Sequence, residues 1–104
     1  ALIVPTLSGS TAKLISKYRP KTHIYAMSPS QGTVRQMMLL WGVTPIWARR
    51  ADTTDELFES SMDELRERSI VEKGDLCVIT AGVLSRMTRN QPVTATNIMR
   101  VMQA

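Results

Sequence analysis

The chain carries one cysteine, one histidine and only 5% aromatic residues in 104. A lone thiol, Cys77, excludes an intramolecular disulfide framework and any multi-cysteine zinc site. A lone imidazole, His23, argues against a His-rich metal centre or a His-based triad. No apolar run reaches the ~18 residues of a membrane-spanning helix, and no signal-peptide pattern opens the chain. These absences suggest a soluble, cytoplasmic domain that contacts no membrane. An initiator methionine is also missing. Ala1-Leu2-Ile3-Val4 opens as an apolar run, and the sequence reads as a fragment cut from something longer.

Acid is missing from half of the molecule. Residues 1–51 hold seven cations (Lys13, Lys17, Arg19, Lys21, Arg35, Arg49, Arg50) and no Asp or Glu. All nine acids lie between Asp52 and Asp75, beside only Arg66, Arg68 and Lys73. An acid-free basic half favours an anionic ligand such as phosphate. Nucleic acid is not the expected partner, because aromatics are few and no binding motif for it occurs.

What is present is a regular alternation of apolar runs and helical periods, with 43% hydrophobic residues to build one core. Residues 2–6 read as a strand. Ser8-Gly9-Ser10-Thr11 supplies turn and N-cap chemistry for a helix with Leu14, Ile15 and Tyr18 on one face. Arg19-Pro20 ends it, since proline disfavours helical geometry in the residue before it. His23 to Met27 is a second strand. Ser28-Pro29-Ser30 opens a helix spacing Val34, Met37, Met38 and Trp41, closed by Gly42. Val43 to Ala48 follows as an edge strand, because Pro45 cannot donate to a ladder.

Thr53-Thr54-Asp55-Glu56 is a capping box. Its helix buries Phe58, Met62 and Leu65 and turns most of the acids to solvent. Leu76 to Ala81 is the most apolar strand, expected at the centre of the sheet with both faces buried. An irregular stretch, Gly82 to Thr94, precedes a last strand over Thr96 to Met102. The order βαβαβαββ predicts an α/β fold: a three-layer αβα sandwich with a five-stranded, mostly parallel sheet. The last strand has no helix before it and is expected to run antiparallel.

Such sheets bind ligands beyond the carboxyl ends of their strands, where the strand order reverses. Three segments are expected to meet there: Thr6–Thr11, Ser28–Ser30 and Gly82–Thr94. The first follows a strand and opens a helix, with four hydroxyls (Thr6, Ser8, Ser10, Thr11) and Gly9. That combination is a phosphate cradle, or else an ordinary Ser-rich N-cap. It matches neither the P-loop nor the dinucleotide fingerprint. No nucleophile–base pair is visible, so no catalytic residue and no metal site are expected. Cys77 and His23 read as structural, and Met37, Met38 and Met62 as core. Trp47, Arg49 and Arg50 at the end of the third strand are surface, interface or ligand-facing.

Ala1-Leu2-Ile3-Val4-Pro5-Thr6-Leu7-Ser8-Gly9-Ser10-Thr11-Ala12 with Lys17-Tyr18-Arg19-Pro20 resembles the start of the carboxy-terminal domain of pyruvate kinases. The resemblance continues through Ile24–Ser28, Trp41-Gly42-Val43, Thr53–Glu56, Lys73-Gly74-Asp75-Leu76 with Val78–Gly82, and Thr96–Val101. It implies that residues 1–104 are the regulatory domain alone, with the catalytic barrel and lid domain absent. The domain by itself is then catalytically silent. The parent would transfer phosphoryl from phosphoenolpyruvate to ADP, as a cytoplasmic tetramer using Mg²⁺ and K⁺ bound outside this domain.

In that family the domain binds a phosphorylated effector, often fructose 1,6-bisphosphate, and the phosphate-gripping turn falls on Thr6, Ser8, Gly9, Ser10 and Thr11. The expected partners are thus a sugar phosphate or AMP, the protein's own barrel domain, and further subunits. Two departures stand out. The loop Gly82–Thr94 is long and glycine-poor, although its Arg86 and Arg89 could pair with phosphate oxygens. The third helix also offers acids at Phe58–Asp63 where fructose-bisphosphate-responsive relatives place an arginine, which suits a one-phosphate ligand. The alternatives are an assembly-only domain, or a free-standing small-molecule-binding domain of the same fold.

Overall fold

A computed structural model of the chain describes residues 1–82 and 97–104. The elements follow the expected order: β1 (Leu2–Pro5), α1 (Ser10–Lys17), β2 (Ile24–Ser28), α2 (Gln31–Met37), β3 (Val43–Trp47), α3 (Thr54–Glu67), β4 (Leu76–Ala81) and β5 (Ile98–Gln103). The five strands form one sheet in the order β3-β2-β1-β4-β5. Pairings among β1, β2, β3 and β4 are parallel, and β5 runs antiparallel to β4. β3 is an edge strand, as Pro45 requires.

Strand alternation divides the core between the two faces of the sheet. Ile3, Met27, Ile46, Cys77, Ile79 and Ala81 pack with Phe58, Met62 and Leu65 of α3 and with Val71. Val4, Ile24 and Ala26 face the other way and pack with Ala12 of α1 and Met37 of α2. Helices therefore lie on both faces, in three layers. α3 begins at Thr53, whose hydroxyl accepts from the Glu56 N–H at 3.1 Å. The Glu56 carboxylate reaches back one residue beyond the cap, to the Asp52 N–H at 3.2 Å.

Three sequence expectations change. The central strand is β1, paired on both edges, and β4 lies one place from the edge. β4 buries only Cys77, Ile79 and Ala81, while Leu76 on its other face is 67% exposed. Apolar content misled here, because no described helix covers that face. α1 buries Ala12 and Ser16 and leaves Leu14 and Tyr18 exposed. The Ser16 hydroxyl donates to the Trp41 carbonyl at 2.6 Å, which turns the small-residue side of the helix inward. In α2 Met37 is core but Met38 is exposed, since the helix ends at Met37.

His23 is exposed at the start of β2, its Nε2 sharing a hydrogen bond with the Thr44 hydroxyl at 2.6 Å. Arg19 leaves the helical region with φ of 49° and stacks its guanidinium 4.5 Å from the Trp41 ring. Cys77 is buried, and burial pushes its thiol pKa up.

Leu65 is fully buried, so Leu65→Ala is expected to cost about 2–5 kcal/mol by transfer loss and cavity formation. Urea titration checks it. The native Cys77 site holds its proton more tightly than the unfolded chain does. The stability this adds is complete at neutral pH and is lost as pH rises past the ordinary thiol range of about 8.5. Alkaline melts of wild type are therefore expected to fall more steeply than those of Cys77→Ala.

Candidate functional site

At the carboxyl end of β1 the chain turns through residues 6–9 into α1. Three bonds from the neighbouring β2–α2 connection hold this turn. The Thr6 N–H donates to the Met27 carbonyl at 2.8 Å. The Thr33 hydroxyl donates to the Leu7 carbonyl at 2.9 Å, and the Ser28 hydroxyl donates to the same oxygen at 3.4 Å. Ser28, wholly buried, also accepts from the Ser30 N–H at 3.2 Å. The two hydroxyl-rich turns thus meet as the sequence reading expects, with Leu7 as their joint.

Within the turn the Thr6 hydroxyl accepts from the Gly9 N–H at 3.0 Å. Ser8 and Ser10 share a hydroxyl–hydroxyl bond of 2.8 Å and stay exposed. The cap residue of α1 is Gly9, left-handed at φ 86° and without a side chain to cap the helix, while the Ser8 hydroxyl accepts from the Ser10 N–H at 3.4 Å. By contrast α2 and α3 carry side-chain caps, Ser30 and Thr53. Gly9 itself is buried against α2, where an added Cβ would meet Met37 Cγ at 3.3 Å. Its missing side chain lets α1 and α2 approach each other.

Above this turn opens a cleft of about 490 Å³. Thr6, Leu7, Ser8, Ser10 and Thr11 form one wall, and Ser28 and Pro29 line it from the second turn. Trp47, Arg49, Arg50, Leu57, Ser60, Ser61, Glu64 and Arg68 line it further, and Gly82 closes the end of β4. The cleft stands where the strand order reverses between β1 and β4. Trp47, Arg49 and Arg50, for which the sequence leaves surface, interface and ligand-facing readings open, line this cleft. Trp47 is held there by its indole N–H, which donates to the Pro29 carbonyl at 3.1 Å.

The α3 contribution was missed in the sequence. Leu57, Ser60 or Ser61, Glu64 and Arg68 recur at helical spacing, offset from the Phe58–Met62–Leu65 stripe. That offset was the available signal. Glu64 is not simply part of a solvated face, since its carboxylate accepts from Arg68 Nε at 2.6 Å. Arg49 and Arg50 have no carboxylate within ion-pair distance among the described residues. Of the proposed loop only Gly82 is described; Arg86 and Arg89 lie outside the described residues. Among the described residues no three His, Cys, Asp or Glu side chains gather where they could hold a metal ion. No described helix is long and apolar enough to cross a membrane.

A mostly parallel sheet, helices on both faces and a ligand-sized cleft at the switch point define a doubly wound α/β domain. Its sequence relationships are specific. The family described as "Pyruvate kinase, alpha/beta domain" matches residues 1–102, and the chain belongs to that family. The pyruvate kinase of Clostridium acetobutylicum is 41% identical over 101 residues, 97% of this chain and 20% of that protein. The Staphylococcus epidermidis pyruvate kinase is 46% identical over 83 residues, 80% of this chain and 14% of that protein. The Staphylococcus aureus enzyme is 41% identical over 101 residues, 97% of this chain and 16% of that protein. The chain thus spans a fifth or less of the length of these relatives.

Gly9→Ala forces a side chain into a left-handed position and against Met37. It is expected to cost about 1–2 kcal/mol, read as a lowered urea midpoint.

Proposed function

We propose that this chain is the regulatory carboxy-terminal domain of a cytoplasmic pyruvate kinase and binds a phosphorylated effector in the cleft. One observation supports the reading: a hydroxyl-rich helix start whose cap residue is a glycine faces, across a ligand-sized cleft, a wall bearing Arg49 and Arg50, which have no ion-pair partner among the described residues. The Ser8 and Ser10 hydroxyls break their mutual bond and turn to a phosphate group, while the start of α1 contributes its positive dipole end. Arg49 and Arg50 take up further negative charge, and Trp47 supplies a flat apolar surface. The acids of α3 suggested a site for one phosphate. The cations on the facing wall, supplied by the end of β3, extend the proposed ligands from sugar monophosphates and AMP to a bisphosphate.

No reacting group is assigned to this chain. In the parent, phosphoryl transfer from phosphoenolpyruvate to ADP, with its Mg²⁺ and K⁺, belongs to the barrel domain, and this domain acts on that barrel through effector occupancy. A second reading, assembly, rests on a different observation: among the described residues β5 pairs on one side only, with β4. In a tetrameric enzyme its other edge meets another subunit.

Thermal melts with fructose 1,6-bisphosphate, AMP, glucose 6-phosphate and ribose 5-phosphate test the effector reading, with sulfate as control. A ligand at about 100 times its dissociation constant stabilises by roughly 2.7 kcal/mol, a shift of about 10 °C or more for a domain this size. The shift is expected with at least one of the four, not with sulfate, and is expected to vanish in the Ser8→Ala, Thr11→Ala double variant. No shift with any ligand overturns the effector reading for the isolated domain and leaves assembly as its role.

A further inference from the structure

The cleft wall supplied by α3 carries polar groups that phosphate binding at the turn does not use. Leu57, Ser61, Glu64 and Arg68 recur at helical intervals, which sets them in one stripe along that wall. Ser61 is only 2% exposed, yet its hydroxyl makes no hydrogen bond with any described residue. Its neighbour Ser60 is satisfied in the usual helical way, donating to the Leu57 carbonyl at 3.3 Å. A buried hydroxyl without a partner costs free energy, and the cleft is the side from which a ligand can supply one.

Glu64 follows Ser61 by less than one turn, so their Cβ atoms lie about 5–6 Å apart. Its carboxylate accepts from Arg68 Nε at 2.6 Å, with the Arg68 and Glu64 side chains 47% and 30% exposed. An ion pair this open to solvent adds little to stability. Its effect is to fix the direction of the carboxylate beside Ser61.

The chemistry that suits this corner is narrow. An ionised carboxylate only accepts, so a bound group must donate. A second phosphate would be repelled by Glu64, and a cation is not called for, because Arg68 already balances the charge. Neutral, neighbouring hydroxyls remain: one donates to Glu64 and the next exchanges a hydrogen bond with Ser61. We propose that Ser61 and Glu64 form a hydroxyl-binding subsite that reads the sugar of a phosphorylated ligand, at the end remote from the phosphate on the Thr6–Thr11 turn. Arg68 is its positioning residue. Both ends belong to one cleft of about 490 Å³, within the range that holds a sugar phosphate or a mononucleotide. The inference rests on the effector reading and adds to it a basis for choosing among phosphorylated ligands.

Titration calorimetry on the 104-residue chain tests it with ribose 5-phosphate and AMP, each beside its 2-deoxy counterpart, which lacks one hydroxyl of the neighbouring pair. At least one of the two ribose ligands is expected to bind about tenfold or more tightly than its deoxy form, the worth of one hydrogen bond to a charged group. Whichever does so tells a free pentose phosphate from a nucleotide. In Ser61→Ala and in Glu64→Ala this preference is expected to shrink towards one, while the deoxy ligand keeps its affinity. A merely structural role would weaken both ligands alike. Melts without ligand check the fold, and Ser61→Ala, which removes an unsatisfied hydroxyl, is expected to melt no lower than wild type. Equal affinities for ribose and deoxy forms in wild type overturn the subsite, as do variants that keep the full preference. Binding of fructose 1,6-bisphosphate without either ribose ligand overturns the subsite and leaves the effector reading standing. Binding of none of them overturns both.

Discussion

The arrangement depends on β1 being paired on both edges and covered on both faces. β1 holds only Leu2–Pro5, yet it is the strand on which the chain reverses direction across the sheet. β2 and β3 extend from one side of it, and β4 and β5 from the other. A short strand with both ladders occupied has no freedom to slip, because a one-residue shift would exchange Ile3 and Val4 between the two cores. The turn leaving its carboxyl end therefore occupies a defined place at the switch point.

That turn is the candidate site, and its shape comes from the next unit of the fold rather than from itself. A single carbonyl, that of Leu7, receives hydroxyls from Ser28 and Thr33. These two bonds tie residues 6–9 to the β2–α2 connection, and the buried glycine at position 9 lets the two helices close together. The hydroxyls of Ser8 and Ser10 are left on the solvent side, bonded to each other. Polar groups that satisfy one another at an exposed surface can be redirected to an anion at little cost, whereas those tied to Leu7 cannot. The same cluster thus divides into a rigid support and an adaptable rim.

The order of elements was legible because each boundary has a local cause. Pro20, Pro45 and the Ser30 and Thr53 caps act over a few residues, and the structure keeps them; Gly42 is left-handed but lies beyond α2, which ends at Met37 rather than running through Trp41. Helix faces were less legible. Leu14 and Tyr18 look like a core stripe, but the approach of α1 to the sheet is set by Ala12 and by the Ser16 bond to Trp41. Leu76 and Val78 look like the middle of a sheet, although burial of a strand face depends on what covers it. Half of the candidate site was visible as a continuous motif; the other half comes from β3 and α3, distant in sequence.

By itself the sequence determined the βαβαβαββ order, the edge position of β3 and the hydroxyl-rich turn at the end of β1, because caps, prolines and apolar periods act locally; the family was legible separately, through the resemblance of its motifs. Only the tertiary structure decided that β1 is central, that Trp47, Arg49, Arg50 and Arg68 line the cleft above that turn, and that Leu76, Met99 and Val101 are exposed on one face of β4 and β5. Those outcomes are set by strand order and helix placement, which arise from contacts between segments far apart along the chain.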